Sequence, residues 1–253
     1  MDARGVWSFK TDSSNRILYE YEGMVLLDDF RRLGYVVVGP VLSSRELRGL
    51  RAAYNRVLAE EGAPTRRRRL TGNEYKGDVV VQVLDMHRRD EAFRRLLYKK
   101  ALLDLAETFL GGPGVCLYRD QALFKPAWHG GTIRWHQDNH YWNLDPPTAV
   151  SCWIALDEAT PENGCLWVIP GSHVAGIVAY QMNDGEVEAT TDEARAVPIP
   201  MPAGHALFHH CQTLHTTRPN RSARNRRAWV IHYMVPGTQQ RGGAAVDPVV
   251  LRS

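Results

Sequence analysis

Gly111-Gly112-Pro113 is followed, one residue on, by Val115-Cys116-Leu117-Tyr118-Arg119-Asp120-Gln121-Ala122-Leu123-Phe124, and here the texture of the chain changes. Beyond this point, short segments rich in branched and aromatic residues (149–156, 165–169, 206–210 and 228–235) alternate with turn residues. The turns are Gly130-Gly131, Asp145-Pro146-Pro147, Glu162-Asn163-Gly164, Pro170-Gly171 and Pro219-Asn220. Many short strands separated by turns indicate a sandwich or barrel. Before it, residues 35–38 read as one strand closed by Gly39-Pro40, and Ser43 or Ser44 can cap a helix carrying Leu47, Leu50, Tyr54, Val57 and Leu58 at helical spacing. Apolar positions from Phe93 to Phe109 predict a second helix over 90–110, stopped by Gly111-Gly112-Pro113. The expected fold is α+β, a jelly roll with N-terminal helices packed on one sheet. No linker divides it, so one domain over 1–253 is expected: a helix-rich stretch over 1–113, a jelly-roll core 114–236 and a tail 237–253.

A chain of 253 residues buries roughly three-quarters of its unfolded surface and needs no disulfide or zinc staple. Its 44% hydrophobic and 23% charged residues exclude a mainly disordered chain. No apolar run is long enough for a membrane span, and the stretch from Asp2 and Arg4 to Tyr21 does not read as a secretory signal. Cys116, Cys152, Cys165 and Cys211 form no CxxC pair and read as reduced, partly buried thiols of a cytoplasmic protein. The net charge of +3 is small, and the only basic cluster, Arg66-Arg67-Arg68-Arg69 between Pro64 and Gly72, reads as a solvated loop. A nucleic-acid partner is therefore not expected.

Chemistry concentrates in Arg134-Trp135-His136-Gln137-Asp138-Asn139-His140-Tyr141-Trp142. In an extended segment His136 and Asp138 project to one side and can grip one metal ion. Aromatic density and Asp145-Pro146-Pro147 argue against a helix pairing His136 with His140. A third ligand is available from His209, His210 or His215, which lie 73, 74 and 79 positions after His136. Two histidines and a carboxylate leave three octahedral positions open, which suits Fe(II) with a bidentate co-substrate and O2. No HExxH motif supports a zinc hydrolase. After His215 the chain reverses at Pro219-Asn220, so Arg226, 11 residues on, can point into the same cavity. Its guanidinium forks a carboxylate, and iron with such a clamp is what 2-oxoglutarate requires.

With these residues in view, the chain resembles the phytanoyl-CoA dioxygenase family of Fe(II)/2-oxoglutarate-dependent oxygenases nearly from end to end. The likeness is carried by Asp29-Phe30 through Val36-Val37-Val38 and Leu42-Ser43, by Gln121 through Lys125-Pro126, and by His136-Gln137-Asp138. It continues in Trp153-Ile154-Ala155-Leu156, Asn163-Gly164-Cys165-Leu166, Pro170-Gly171-Ser172-His173, and the distal histidine with Asn220 and Arg226-Arg227-Ala228. The resemblance implies a double-stranded β-helix of the cupin kind. It implies His136, Asp138 and His215 as iron ligands, with His209 and His210 as less fitting substitutes. Arg226 would bind the distal carboxylate of 2-oxoglutarate with help from Thr217, and Arg227 takes its place if the register is off by one. Gln121 and Trp153 would line the co-substrate site, and Gln82 stands where the family can carry a lysine.

The implied reaction consumes 2-oxoglutarate and O2, releases succinate and CO2, and oxidises a small-molecule substrate. Asp138 argues for hydroxylation, desaturation or cyclisation rather than halogenation. Trp128, Trp135, Tyr141 and Trp142 can wall a pocket, some of them serving as core instead. Residues 181–193, with Asp184, Glu186, Glu188, Asp192 and Glu193, read as an irregular acidic loop, or as a lid favouring a polar or cationic substrate. The resemblance to bacterial tailoring enzymes implies an antibiotic or secondary-metabolite intermediate. Its alternatives are an acyl-CoA hydroxylase, with the Arg66–Arg69 run on the phosphates, and a non-catalytic 2-oxoglutarate- or metal-binding protein. A monomer or homodimer is expected.

Overall fold

A computed structural model describes residues 22–59, 65–69, 78–128, 131–183, 185–243 and 248–253. The reading of the N-terminal 21 residues, and Asp184 of the acidic stretch, lie outside these. In chain order the elements are α1 (Glu22–Leu33), β1 (Tyr35–Val38), α2 (Ser44–Ala59), β2 (Thr65–Arg69), β3 (Asp78–Leu84), α3 (Met86–Arg89), α4 (Glu91–Leu97) and α5 (Lys100–Leu110). There follow β4 (Val115–Lys125), β5 (Ile133–His136), α6 (Asn139–Trp142), β6 (Ala149–Ala155), β7 (Leu166–Val168), β8 (Tyr180–Asn183) and β9 (Glu186–Ala189). The last are β10 (Val197–Ile199), β11 (Ala206–His210), β12 (His215–Thr217), β13 (Arg226–Met234) and β14 (Val249–Arg252).

Among the described residues every strand pairing is antiparallel. The large sheet runs β1-β11-β6-β13-β4-β3-β2, with β14 also on β4, and the small sheet runs β10-β7-β12-β5. Alternation along the central strands assigns each face a partner. Cys152 and Ile154 of β6, with Trp229, Ile231 and Tyr233 of β13, pack against Leu50, Tyr54, Phe93, Leu102 and Phe109 from the helices. The residues between them, Trp153, Ala155, Ala228 and Val230, face Leu166 and Val168 of the small sheet. The helices thus cover one face of the large sheet, and the space between the two sheets is left for the site.

Local chemistry sets the helix ends. Glu46 accepts from the Ser43 backbone N–H at 2.7 Å while the Glu46 N–H reaches Ser43 Oγ at 3.3 Å, a capping box that starts α2. Gly111, at φ 72°, ends α5 in the left-handed region.

Several expectations are corrected. The helix predicted over 90–110 is two helices, because Phe93 and Leu97 are followed by Leu102 rather than by an apolar residue at position 100 or 104. A straight helix would carry Lys100 and Asp104 into the core, so the chain breaks at Tyr98-Lys99 and turns its apolar side back. The Arg66–Arg69 run belongs to β2, paired with β3, and is not a loop. Residues 181–193 contain the β8–β9 hairpin. Within the tail, β14 joins the large sheet beside residues 115–117. All four cysteines are buried and unpaired.

Candidate active site

His136 ends β5 and His215 begins β12, and the two face each other directly across the small sheet. The HxD segment is not extended through Asp138. The strand stops at His136, and Asp138, at φ −54° and ψ −37°, opens the short helix α6. Asp138 swings to the histidines through this turn and not through strand alternation. The turn is braced by a fully buried Gln137, whose side chain donates to the Gly176 and Gln212 carbonyls at 2.8 and 2.6 Å and accepts from Val178 N–H at 3.0 Å. His140 belongs to the same brace. Its Nδ1 accepts from Gln137 N–H at 3.0 Å and its Nε2 donates to the Val178 carbonyl at 3.1 Å.

Asp138 Oδ1 lies 3.8 Å from His136 Nε2 and 3.7 Å from His215 Nε2. His136 Nδ1 donates to the Arg134 carbonyl at 2.8 Å and His215 Nδ1 to the Thr213 carbonyl at 2.9 Å. With Nδ1 engaged in this way, each Nε2 is the nitrogen turned to the carboxylate and placed to ligate a metal. Burial alone would raise the Asp138 pKa, but His215, His209, His232 and His136 around it hold the carboxyl well below its usual range. Two imidazoles presenting Nε2 and an ionised carboxylate on one side of a cavity fit a divalent iron ion.

The other candidates separate. His209 lines the cavity from the large sheet, with Nε2 3.9 Å from Asp138 Oδ2; burial first, then His215, lowers its pKa to about 3. His210 points to the helix side, near Phe30 and His173, and does not reach the cavity. Arg227 faces outward. Its Nε and one terminal nitrogen each lie 2.8 Å from Asp157 carboxylate oxygens, and the other terminal nitrogen lies 2.9 Å from Asn55 Oδ1.

Arg226 points the other way. It is 1% exposed, its Nε has no hydrogen-bond partner, and its guanidinium carbon sits 5.4 Å over the Trp153 ring. Burial lowers its pKa to about 10, so it stays charged at neutral pH. Thr217 Oγ1 and Trp153 Nε1 are likewise buried without a partner.

The cavity, of about 330 Å³, runs between the sheets. Gln82, Gln121, Trp153 and Thr217 line it, as do Leu123, Leu166 and Val230; Tyr118, Arg119, Tyr141 and Trp142 lie along its wall. Trp135 is instead core, and Trp128 is exposed. The acids of the hairpin are engaged: Arg134 lies 2.9 Å from Glu188 and 4.0 Å from Glu186. Sequence reasoning missed Ser151 and His232, which lie beside Asp138. Their signal was a polar residue inside each of two otherwise apolar stretches, 149–155 and 228–234. A second cluster, Asp85, His87 and Asp120, is closed by hydrogen bonds: Asp120 accepts from His87 and from Trp229 Nε1.

Two antiparallel sheets thus enclose a His-Asp-His cluster that could hold a metal ion, an arrangement suited to a non-haem metal oxygenase. The model of the phytanoyl-CoA dioxygenase family matches residues 30–228, and the chain belongs to that family of Fe(II)- and 2-oxoglutarate-dependent oxygenases, whose oxidant is O2. It is 32% identical to the L-proline trans-4-hydroxylase of Streptomyces griseoviridis, over 81% of this chain and 83% of that protein. The epimerase SnoN, solved with Fe3+, alpha ketoglutarate and nogalamycin RO, aligns with a TM-score of 0.75 at 24% identity, over 92% of this chain and 99% of SnoN. The alpha ketoglutarate dependent carbocyclase SnoK of nogalamycin biosynthesis aligns with a TM-score of 0.72 at 25% identity, over 89% and 92% of the two chains.

Proposed function

We propose that this oxygenase oxidises a small polar molecule, an intermediate of antibiotic or other secondary-metabolite assembly, with release of succinate and CO2. The two sheets are read as one double-stranded β-helix, a single jelly-roll domain. His136, Asp138 and His215 are its iron ligands, and Arg226 receives the distal carboxylate of 2-oxoglutarate. When bound, the ferrous ion with 2-oxoglutarate and O2 supplies the oxidative step that removes a hydrogen atom from the substrate.

The observation that carries this reading is the buried cation at Arg226, one of whose terminal nitrogens donates to the Leu123 carbonyl at 3.5 Å while its Nε has no partner. A buried guanidinium without a counter-anion costs several kcal/mol. Thr217 Oγ1 and Trp153 Nε1, also buried and unpartnered, belong to residues that line the cavity and can donate there. An anion seated there offsets all three, and a dicarboxylate reaching back to His136, Asp138 and His215 is such an anion. Leu123, Leu166 and Val230 keep water from its body, while Gln121 and Gln82 flank the passage. For the substrate, a cavity of about 330 Å³ suits a small molecule. The hairpin acids are engaged by Arg134 and lend no weight to a cationic substrate, whereas Tyr118, Arg119 and Tyr141 offer polar contacts. Relatives that hydroxylate L-proline or act in nogalamycin biosynthesis support a metabolite over an acyl-CoA.

Among the described residues no helix is long and apolar enough to cross a membrane. We take the enzyme to be a cytoplasmic monomer or homodimer. Anaerobic addition of Fe(II) and 2-oxoglutarate should produce a visible charge-transfer band that is lost in Asp138→Ala and His215→Ala. With O2 and a panel of amino acids, sugars and polyketides, succinate release above the substrate-free rate should mark the substrate. A band that persists in both variants would refute the ligand assignment.

A further inference from the structure

Ser151 and His232 play no role in the function proposed so far, yet both are buried on the cavity face of the large sheet, directly opposite each other on β6 and β13. Their neighbours on that face, Trp153, Val230 and Ala228, are apolar and pack against the small sheet. Ser151 Oγ lies 2.5 Å from Asp138 Oδ2 and 2.8 Å from His232 Nδ1. Gln121 Nε2 lies 3.0 Å from His232 Nε2, and Gln82 Nε2 donates to Gln121 Oε1.

The direction of every proton in this line follows from its end. An ionised carboxylate only accepts, so the Ser151 hydroxyl donates to Asp138. Having one proton, Ser151 must then accept from His232, which places the imidazole hydrogen on Nδ1. His232 Nε2 is left as an acceptor for the Gln121 amide, whose oxygen is left to receive Gln82. Each donor meets an acceptor, the condition under which a buried polar chain is rigid.

We propose that Gln82, Gln121, His232 and Ser151 form a positioning line that fixes how Asp138 meets iron, an inference that rests on the ligand assignment above. The Ser151 hydroxyl occupies Oδ2, leaving Oδ1, the oxygen nearest His136 Nε2 and His215 Nε2, to ligate alone. Without Ser151 the carboxylate is free to turn and bind through both oxygens. That would consume one of the three positions that 2-oxoglutarate and O2 require. Ser151 and His232 are positioning residues that act through Asp138.

Co(II), a redox-stable probe of such a site, tests this in the full-length chain by calorimetry and visible absorption. Ser151→Ala should weaken Co(II) binding about tenfold, the scale for losing a hydrogen-bond partner of a ligand. Its Co(II) spectrum with 2-oxoglutarate should also differ from that of the wild-type protein with 2-oxoglutarate. His232→Phe should act in the same direction. His232→Asn, whose amide nitrogen can still donate to Ser151, should recover affinity. Wild-type affinity in both Ser151→Ala and His232→Phe, with binding lost in Asp138→Ala, would overturn the positioning line and leave the ligands standing. Equal losses in His232→Asn and His232→Phe would overturn it as well. Co(II) binding indifferent to Asp138→Ala would overturn both readings together.

Discussion

Two adjacent arginines in one strand meet opposite fates, because successive side chains of a strand leave by opposite faces. Arg227 finds Asp157 and Asn55 outside the sheet, whereas Arg226 is driven between the sheets with its Nε unmatched. Arg226→Gln should keep the fold and raise the 2-oxoglutarate requirement at least 30-fold, as expected when a charge-assisted, desolvated contact is lost, about 2 kcal/mol or more. Arg227→Gln should leave co-substrate affinity unchanged and lower stability by about 2 kcal/mol, the scale of hydrogen bonds to a charged group. Titration of 2-oxoglutarate and urea unfolding of the two variants check the contrast. Equal effects on 2-oxoglutarate would reverse the assignment.

Among the elements, β12 carries one member of the donor set on only three residues, so its position depends on what precedes it. Thr213 Oγ1 donates to the Gly34 carbonyl at 2.7 Å, and the Thr213 carbonyl receives His215 Nδ1. Gly34 sits at φ +80°, and a Cβ there would strike the His173 ring and come within 2.6 Å of Thr213 Oγ1. Gly34→Ala should therefore cost roughly 2–4 kcal/mol, from left-handed backbone strain and overpacking combined. It should also weaken metal binding, since the carbonyl that orients His215 is displaced. Urea unfolding with a parallel Co(II) titration measures both, and an unchanged metal affinity would show that His215 does not depend on this turn. Elements with strong patterns were legible in the sequence: β4, β6, β7, β11 and β13 each cover a segment expected to be extended, and α2 begins at its capping serine. Elements defined mainly by partners were not. The β8–β9 hairpin and β14 have little internal pattern, and the reversal of Asp138 into α6 depends on Gln137 finding carbonyls more than 35 residues away.

The molecule as a whole keeps several imidazoles neutral by burying them. Burial is the main cause that lowers His209 to about 3 and His210 and His232 to about 4. In the unfolded chain they would titrate near 6.5. Between those values the unfolded state binds more protons, so stability rises with pH. The metal-free protein should thus be fully stabilised by these groups above about pH 6.5 and lose that stability progressively as pH falls toward 4. A melting temperature flat across that window would contradict neutral burial. Metal and co-substrate act on the same balance. At a hundred times its dissociation constant each should add about 2.7 kcal/mol, or roughly 5–10 °C, and a chelator should reverse the metal's share.

The sequence by itself determined the donor types, the alternation of strands and the family, because these are properties of residue identity, order and spacing. The residues at 136, 138, 215 and 226 could be singled out as candidates from the sequence alone. Tertiary structure decided which histidine faces Asp138, which of two arginines turns inward and that Ser151 and His232 stand behind the carboxylate. Those outcomes depend on the register between strands far apart in the chain and on where one strand stops, and neither is encoded in any local stretch.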